Sequence, residues 1–310
     1  MGGSAQLDII IVNYNSTDYL VRCLESVYRG LAGRAVSIHI ADNGSRDGVE
    51  RLRFRFPEID LHINACNLGF ARAVNQCIAK SGSPFLLILN PDTIVGKEFF
   101  DSAIEFMETH PRVGVLGPKI YDHDFKVQGS ARSFPTPVTA LFGRNTMLTR
   151  FFPDNRISRK NMLNTFSDGR SPISVDWLSG ACLFVRRQAV DMAGGLDSHF
   201  FMYWEDADWC IRLKQAGWDI IYYPAASVVH FVGGSSERNL MKSVLAFHKS
   251  AYYFFNKYYQ SPFGVLKPLV IMGLSVRACF VLAVHGIRRW VAKNKKFSTG
   301  RSVKQAVKDE

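Results

Sequence analysis

Residues 8–30, DIIIVNYNSTDYLVRCLESVYRG, join an unbroken apolar run to a segment of helical period. Ile9 to Val12 leave no polar alternation, so this strand is expected to be covered on both faces, as in a parallel sheet between helices. The next fifteen or so residues have helical spacing, with Ser16 or Thr17 placed to cap the first turn. The alternation then continues. VSIHIADNGS (36–45) predicts a second strand and turn, and IDLHINACN (59–67) a third strand. ARAVNQCIAKSG (71–82) predicts a helix, and PFLLILNPDT (84–93) a fourth, fully apolar strand. Strands alternating with helices give an α/β fold with a mostly parallel sheet. Weaker strand patterns follow at 112–120, 175–187 and 219–224. Residues 129–172 are rich in Arg, Phe, Pro and Asn and lack periodicity, which suits a binding loop rather than an idle connector.

Composition narrows the class. The 310 residues are 47% apolar, enough for one large domain or a domain with an appendage. The six cysteines are scattered without a C-x-x-C pair, so reduced thiols in a cytosolic setting are expected. The start, MGGSAQLDIII, lacks a basic segment followed by an apolar stretch, and no secretory signal is expected. The net charge of +11 is uneven: ten Lys/Arg and two acids fall between Pro262 and Glu310, which leaves +3 for the rest. The basic excess therefore belongs to the tail, and no nucleic-acid motif is present. Residues 268–287 are apolar apart from Arg277 and precede RRWVAKNKK. The length is just sufficient to span a bilayer, but a central Arg costs roughly 2.5–3.5 kcal/mol there. A helix or helix pair lying in the membrane interface is the expected arrangement, set against a buried helix with a solvated basic end. The division expected is therefore 1–260 and a helical tail, 261–310.

The strand ends share a chemistry. Asn13 and Asn15, Asp42 and Asn43, Asn67, and Asn90 and Asp92 close strands one to four. Ligands bind at the carboxyl ends of the strands of an open parallel sheet, so these side chains are expected to line one cleft. Each alone is also a common turn former. Phosphate-cradling glycine motifs are absent. Asp92 is a candidate carboxylate ligand for a hard cation, and a Pro-Asp turn is its plain alternative. His230 follows another apolar segment, where a structural role is the commoner one. In FFMYWEDADWCIRLKQAGW (200–218), Glu205, Asp206 and Asp208 are boxed by Trp204 and Trp209. Acids in a first helical turn favour the helix dipole. A carboxylate in a partly dry cleft also gains proton affinity and suits a general base. Spacing alone does not choose between the three acids.

The ordered set IIIVNYNS, IADNGSRDG, NLGFARAVN, LNPDT, ARSFPTP, WLSGACLFVRR, FFMYWEDADWCIRLKQAGW and VVHFVGGSS resembles family 2 inverting glycosyltransferases of the GT-A fold, over about residues 7–260. Within that family it is most similar to bacterial rhamnosyltransferases. The resemblance implies a Rossmann-like GT-A sheet with flanking helices. It implies that Asp42 meets the nucleotide base, that Asn13 lies beside the nucleotide, and that Asn67 and Arg72 face ribose and diphosphate. Asp92 matches the last acid of the family's D-x-D element, whose first position is Asn90 here, so that element is degenerate. His230 matches a histidine that completes the metal site, with Mg2+ or Mn2+ as the cation. Asp206 matches the catalytic base, with Glu205 placing the acceptor or tuning that base. Trp177, Gly180 and Trp204 are implied to border sugar and acceptor, and Arg132 with SFPTP to lie on the acceptor-side loop.

The partners implied are dTDP-L-rhamnose as donor and a polyprenyl-diphosphate-linked saccharide as acceptor, for O-antigen or cell-surface polysaccharide synthesis. UDP-galactofuranose and UDP-glucose remain alternative donors. The implied location is the cytoplasmic face of the bacterial inner membrane, held peripherally or monotopically by the tail. A sugar nucleotidyltransferase is disfavoured because VNYNSTDYL has no glycine-rich basic loop, and a non-catalytic scaffold because Asp42, Asp92, Asp206 and His230 are all present.

Overall fold

The computed structural model describes residues 6–136, 163, 167–231, 240–259, 268, 270–284 and 286. The middle of the 129–172 loop and the basic stretch after Gly286 lie outside these residues. Two compact units are formed, residues 1–238 and 239–310.

In the first unit, β1 (Leu7–Asn13) is buried at all seven positions. It pairs in parallel with β2 (Val36–Asp42) on one side and β4 (Phe85–Leu89) on the other, and β2 pairs in parallel with β3 (Asp60–Ile63). The two faces of β1 serve two cores, which is why its apolar run has no polar alternation. Leu7, Ile9 and Ile11 pack with Leu20, Leu24 and Val27 of α1 (Thr17–Leu31). Ile10 and Val12 face the opposite layer, with Ala71, Val74 and Cys77. Each fully buried Ile or Leu here contributes about 1.5–3 kcal/mol relative to exposure.

Beyond a short α2 (Leu52–Arg55), α3 (Phe70–Ile78) covers the β1–β2 face. β5 (Thr93–Val95), α4 (Phe99–Thr109) and β6 (Val113–Tyr121) follow. β7 (Ala131–Arg132) forms a separate ribbon with β9 (Trp177–Leu178), while β8 (Ile173–Ser174) joins the main sheet. β10 (Cys182–Arg186) then runs antiparallel between β4 and β6. α5 (Arg187–Ala193), α6 (Glu205–Gln215) and β11 (Asp219–His230) complete the unit. The order in the main sheet is β3-β2-β1-β4-β10-β6-β11-β5. The amino-terminal four strands are parallel, as the alternation requires. The second half is mixed because β10 enters from the β7–β9 ribbon and runs back across the sheet, splitting the single strand expected at 175–187 in two.

β11 is twice the length expected. It stays parallel to β6 through a register shift between Tyr223 and Ser227, around Pro224, and its last residues pair antiparallel with β5. His230 lies opposite Thr93 as a result. Ser16 occupies the N-cap position of α1 without a side-chain cap. Asp47 performs that task from the next loop, accepting from Thr17 N at 2.8 Å and Thr17 Oγ1 at 2.6 Å.

In the second unit, α7 (Leu240–Tyr258) and a helix α8 over 270–284 are described. Arg277 lies with Nη1 3.1 Å from His248 Nε2 and its guanidinium 5.2 Å from the Phe247 ring centre. No helix among the described residues is long and apolar enough to cross a membrane. All six cysteines are free, as their spacing predicts.

Candidate active site

Three corners of polar residues meet above the carboxyl ends of the strands. The first lies at β1 and β2. Asn13 and Asp42 face each other in register, and Asn13 Nδ2 donates to Asp42 Oδ2 at 2.8 Å. Ser45 Oγ donates to the same oxygen at 2.5 Å, and Ser45 N donates to Oδ1 at 2.8 Å. Asp42 is therefore a buried, oriented carboxylate with three internal donors, and Oδ1 carries only one of them. Asn13 Oδ1 is buried without a partner in the protein. Such a group carries a desolvation cost of about 1–3 kcal/mol that a ligand donor removes. Asn43 ties the following loop down: its Nδ2 donates to Gly69 O at 3.1 Å, and Asn64 Nδ2 donates to its Oδ1 at 3.2 Å. Asn67 closes an Asx turn onto Gly69 N at 2.9 Å, and Arg72 stands exposed on α3.

The second corner gathers Asn90, Asp92 and His230. His230 Nε2 is 3.2 Å from Asp92 Oδ1, and Asn90 Nδ2 is 3.3 Å from the same nitrogen. Phe231 N donates to Asp92 O at 2.9 Å, which fixes the backbones together. Among the described residues no group of three His, Cys, Asp or Glu side chains is placed to hold a metal. The residues still suit a hard cation. Adjacent ligands on an octahedral ion sit about 3 Å apart, and Mg2+ is commonly held by one or two carboxylates together with substrate phosphates. The Asp92–His230 spacing matches, and both side chains are 14% exposed, so the pair is reachable from the cleft.

The third corner is the start of α6. Gly180 N donates to Asp206 Oδ2 at 3.0 Å and Ala207 N to Oδ1 at 2.8 Å. Burial raises the Asp206 proton affinity above the usual carboxylate range, opposed by these two amides and by the Arg132 charge. Burial, then the Asp206 and Asp208 charges, push Glu205 up much further, and its Oε2 is buried without a partner. Arg132 lies 5.0 Å over the Trp177 ring, whose Nε1 donates to Ser133 O at 2.9 Å. Tyr203 and Trp204 both have positive φ, 69° and 72°, an uncommon conformation for bulky residues that clusters at functional sites. Backbone bonds join the corners: Asn90 N to Ala181 O at 2.9 Å, and Phe70 N to Phe201 O at 2.7 Å.

Two of the flanking residues have other duties. Asp208 is fully buried and accepts from Arg212 Nε at 2.9 Å, and Arg212 also donates to Ala193 O and Gly195 O. Trp209 is fully buried with Nε1 donating to Gly194 O at 2.8 Å. It is a core residue and offers no face to a sugar, contrary to what its place beside the acids suggests.

A profile of glycosyl transferase family 2 matches residues 8–179, more than half of the chain. The chain belongs to glycosyl transferase family 2. This glycosyltransferase is 35% identical over 260 residues to an N-acetylglucosaminyl-diphospho-decaprenol L-rhamnosyltransferase of Mycobacterium tuberculosis, covering 80% of this chain and 83% of that one. It is 26% identical over 239 residues to rhamnosyltransferase WbbL of Escherichia coli, covering 72% and 82%. Among solved structures, a mannosyltransferase from Pyrobaculum calidifontis in complex with GDP-Man and Mn2+ aligns with TM-score 0.55 at 14% identity, covering 91% of this chain and 79% of that one. That likeness shows the GT-A fold.

The family's glycosyltransferase architecture places most of the expected residues together. Asn13 and Asp42 share one corner, and Asn90, Asp92 and His230 a second; in the third, Gly180 N bonds to Asp206, Arg132 lies over Trp177, and the Arg132 charge acts on Asp206. Ser45, which holds both oxygens of Asp42, and Gln128, which touches His230, were not singled out from sequence. Ser45 lies in the quoted IADNGSRDG turn, whereas nothing in KVQGS marks Gln128.

Proposed function

We propose that this glycosyltransferase moves L-rhamnose from dTDP-L-rhamnose, with inversion, to a hydroxyl of a polyprenyl-diphosphate-linked saccharide at a membrane surface. The observation that carries the chemistry is Asp206: one cleft carboxylate of raised proton affinity, aimed by two backbone amides. Burial pushes the proton affinity of Glu205 beside it higher still, which makes Asp206 the readier of the two to carry the negative charge. The acceptor O–H proton passes to Asp206, the freed oxygen bonds to the anomeric carbon, and the bond to the diphosphate oxygen breaks with its electron pair leaving on the diphosphate. Asn13, Asp42 and Ser45 hold the nucleotide end, and Asn67 and Arg72 lie toward ribose and diphosphate. Asp92 and His230, with Asn90 beside them, would hold Mg2+ or Mn2+, which neutralises charge on the departing diphosphate. Arg132, Trp177, Gly180 and Trp204 border the sugar and acceptor.

The transferred sugar and the acceptor class are supported by the mycobacterial relative, an L-rhamnosyltransferase acting on N-acetylglucosaminyl-diphospho-decaprenol. Membrane attachment is supported by the second unit. Met272, Val276 and Phe280 recur every fourth residue on α8 and are all exposed, as are Met241 and Leu245 on α7. The residues spaced four apart form one apolar stripe. A stripe of this kind beside a basic tail suits an interfacial helix. In this reading the enzyme is peripheral, at the cytoplasmic face of a bacterial membrane, and builds cell-surface polysaccharide; the lipid-linked acceptor of the mycobacterial relative supports the membrane setting.

The test is a donor panel, dTDP-L-rhamnose against UDP-galactofuranose and UDP-glucose, read by nucleoside diphosphate release with a lipid-linked N-acetylglucosamine acceptor. Release from dTDP-L-rhamnose that requires acceptor supports the reading; turnover with a UDP-sugar alone overturns the donor assignment. Asp92→Ala is expected to remove the metal dependence of donor affinity in calorimetry, and an unchanged metal effect would count against its ligand role.

A further inference from the structure

Gln128 contacts both the backbone and the ring of His230, and its role rests on the reading of Asp92 and His230 as the cation corner. Gln128 follows the turn after β6, with its backbone N donating to Ile120 O at 2.8 Å and its carbonyl accepting from Ser130 N at 2.9 Å. Its side-chain Nε2 donates to His230 O at 3.0 Å and to Tyr121 O at 3.4 Å. Carbonyl oxygens only accept, so the amide nitrogen must face them and the amide oxygen must face away. That oxygen, Oε1, meets His230 Nδ1 at 3.3 Å. An amide oxygen also only accepts, so Nδ1 carries the ring proton. In the neutral ring this leaves Nε2 with its lone pair, accepting from Asn90 Nδ2 at 3.3 Å. The same lone pair faces Asp92 Oδ1 at 3.2 Å, an oxygen with no proton to share, so the two atoms repel unless a cation or a second ring proton stands between them.

We propose that Gln128 is a positioning residue that fixes the tautomer and plane of the His230 ring, so that Nε2 is presented to a divalent cation beside Asp92. One side chain grips His230 twice, at its carbonyl and at its ring. Metal-bound histidines are commonly held through their second nitrogen in this way. An amide in that place orients the ring without adding charge, so Asp92 remains the anionic partner.

The experiment uses the full-length protein with Mn2+ alone, titrated by electron paramagnetic resonance. The ring tautomer is read in the metal-free protein from imidazole 15N shifts, at a pH high enough to leave the ring neutral. The wild type is expected to show the Nδ1–H tautomer. Gln128→Met, close in size but unable to accept strongly or donate, is expected to shift the ring toward Nε2–H and weaken Mn2+ binding about 10–100-fold. A thermal melt of Gln128→Met beside wild type guards against a variant that fails to fold: a folded Gln128→Met that keeps the Nδ1–H tautomer counts against the proposal. A wild-type ring protonated on Nε2 overturns the proposal. So does Mn2+ affinity in Gln128→Met within twofold of wild type when His230→Ala abolishes binding. Unchanged Mn2+ affinity in His230→Ala instead removes the cation corner itself, which separates that failure from a failure of Gln128.

Discussion

Asp206 and Asp208 sit two residues apart in the same helical turn and are expected to fail in opposite ways. Asp206→Asn keeps one acceptor oxygen but turns an NH2 toward Gly180 N or Ala207 N and cannot take a proton at neutral pH. Loss of a positioned general base costs about 10²–10⁴-fold in turnover, or roughly 2.7–5.5 kcal/mol of barrier. Donor affinity is expected to stay within a few-fold, because no nucleotide-side residue bonds to Asp206. Asp208→Asn instead breaks a buried pair with Arg212. Breaking such a pair costs about 3–5 kcal/mol. The lower end applies because Arg212 is 21% exposed and keeps two carbonyl partners. About 3 kcal/mol corresponds to roughly 6–12 °C in Tm for a unit of this size. Single-turnover rates and thermal melts on both variants check the contrast. The reasoning fails if Asp206→Asn keeps a tenth or more of wild-type turnover. It also fails if Asp208→Asn loses turnover to the same extent without losing Tm.

Gly69 has φ +87°, and a Cβ there would lie 2.4 Å from Phe201 O, so Gly69→Ala should separate the donor loop from the 200–204 segment and raise donor KM several-fold in steady-state kinetics; an unchanged KM would refute the link. His39 lies between Asp8 and Asp60, with Lys80 and Arg187 beside those carboxylates, and its contact with Asp8 leads in raising its proton affinity. A raised folded value gives stability that is complete below about pH 6.5 and lost as pH rises through it. Wild type should therefore lose urea resistance as pH rises above about 6.5, and His39→Gln should flatten that loss; an unaltered profile would discount His39. Asp8 acts at the other end: burial raises it, but His39, Ser83 and Gly82 outweigh burial and hold it at about 2, so its contribution disappears as pH falls from about 4. Val276→Asp should cut co-sedimentation with anionic phospholipid vesicles at least tenfold, since burying one such side chain is worth about 1.5–3 kcal/mol; equal pelleting would remove the α8 stripe as the docking face.

The parallel half of the fold was legible because burial on two faces leaves a direct mark: an unbroken apolar run such as Ile9 to Val12 or Phe85 to Leu89. Strand direction leaves no such mark, so the reversal at β10 was not readable. Pro224 ended the expected last strand, yet a register shift carries β11 past it to His230. The site shows the same division. Strand-end residues such as Asn13, Asp42 and Asp92 were visible because topology gathers strand ends. Asp206 and Asp208 were not separable by spacing, because helix position sets which carboxylate meets Gly180 N and which meets Arg212. Gln128 and Ser45 act through neighbours brought close only by folding, and nothing in the spacing separates Trp209, a core residue bonded to Gly194 O, from Trp204 beside the same acids.

The anomeric configuration of the product decides the central claim of a single displacement driven by one carboxylate. Proton NMR of the disaccharide made from a donor of known configuration should show the opposite configuration at the transferred carbon. Retention would require a covalent or front-face route and would contradict the role assigned to Asp206.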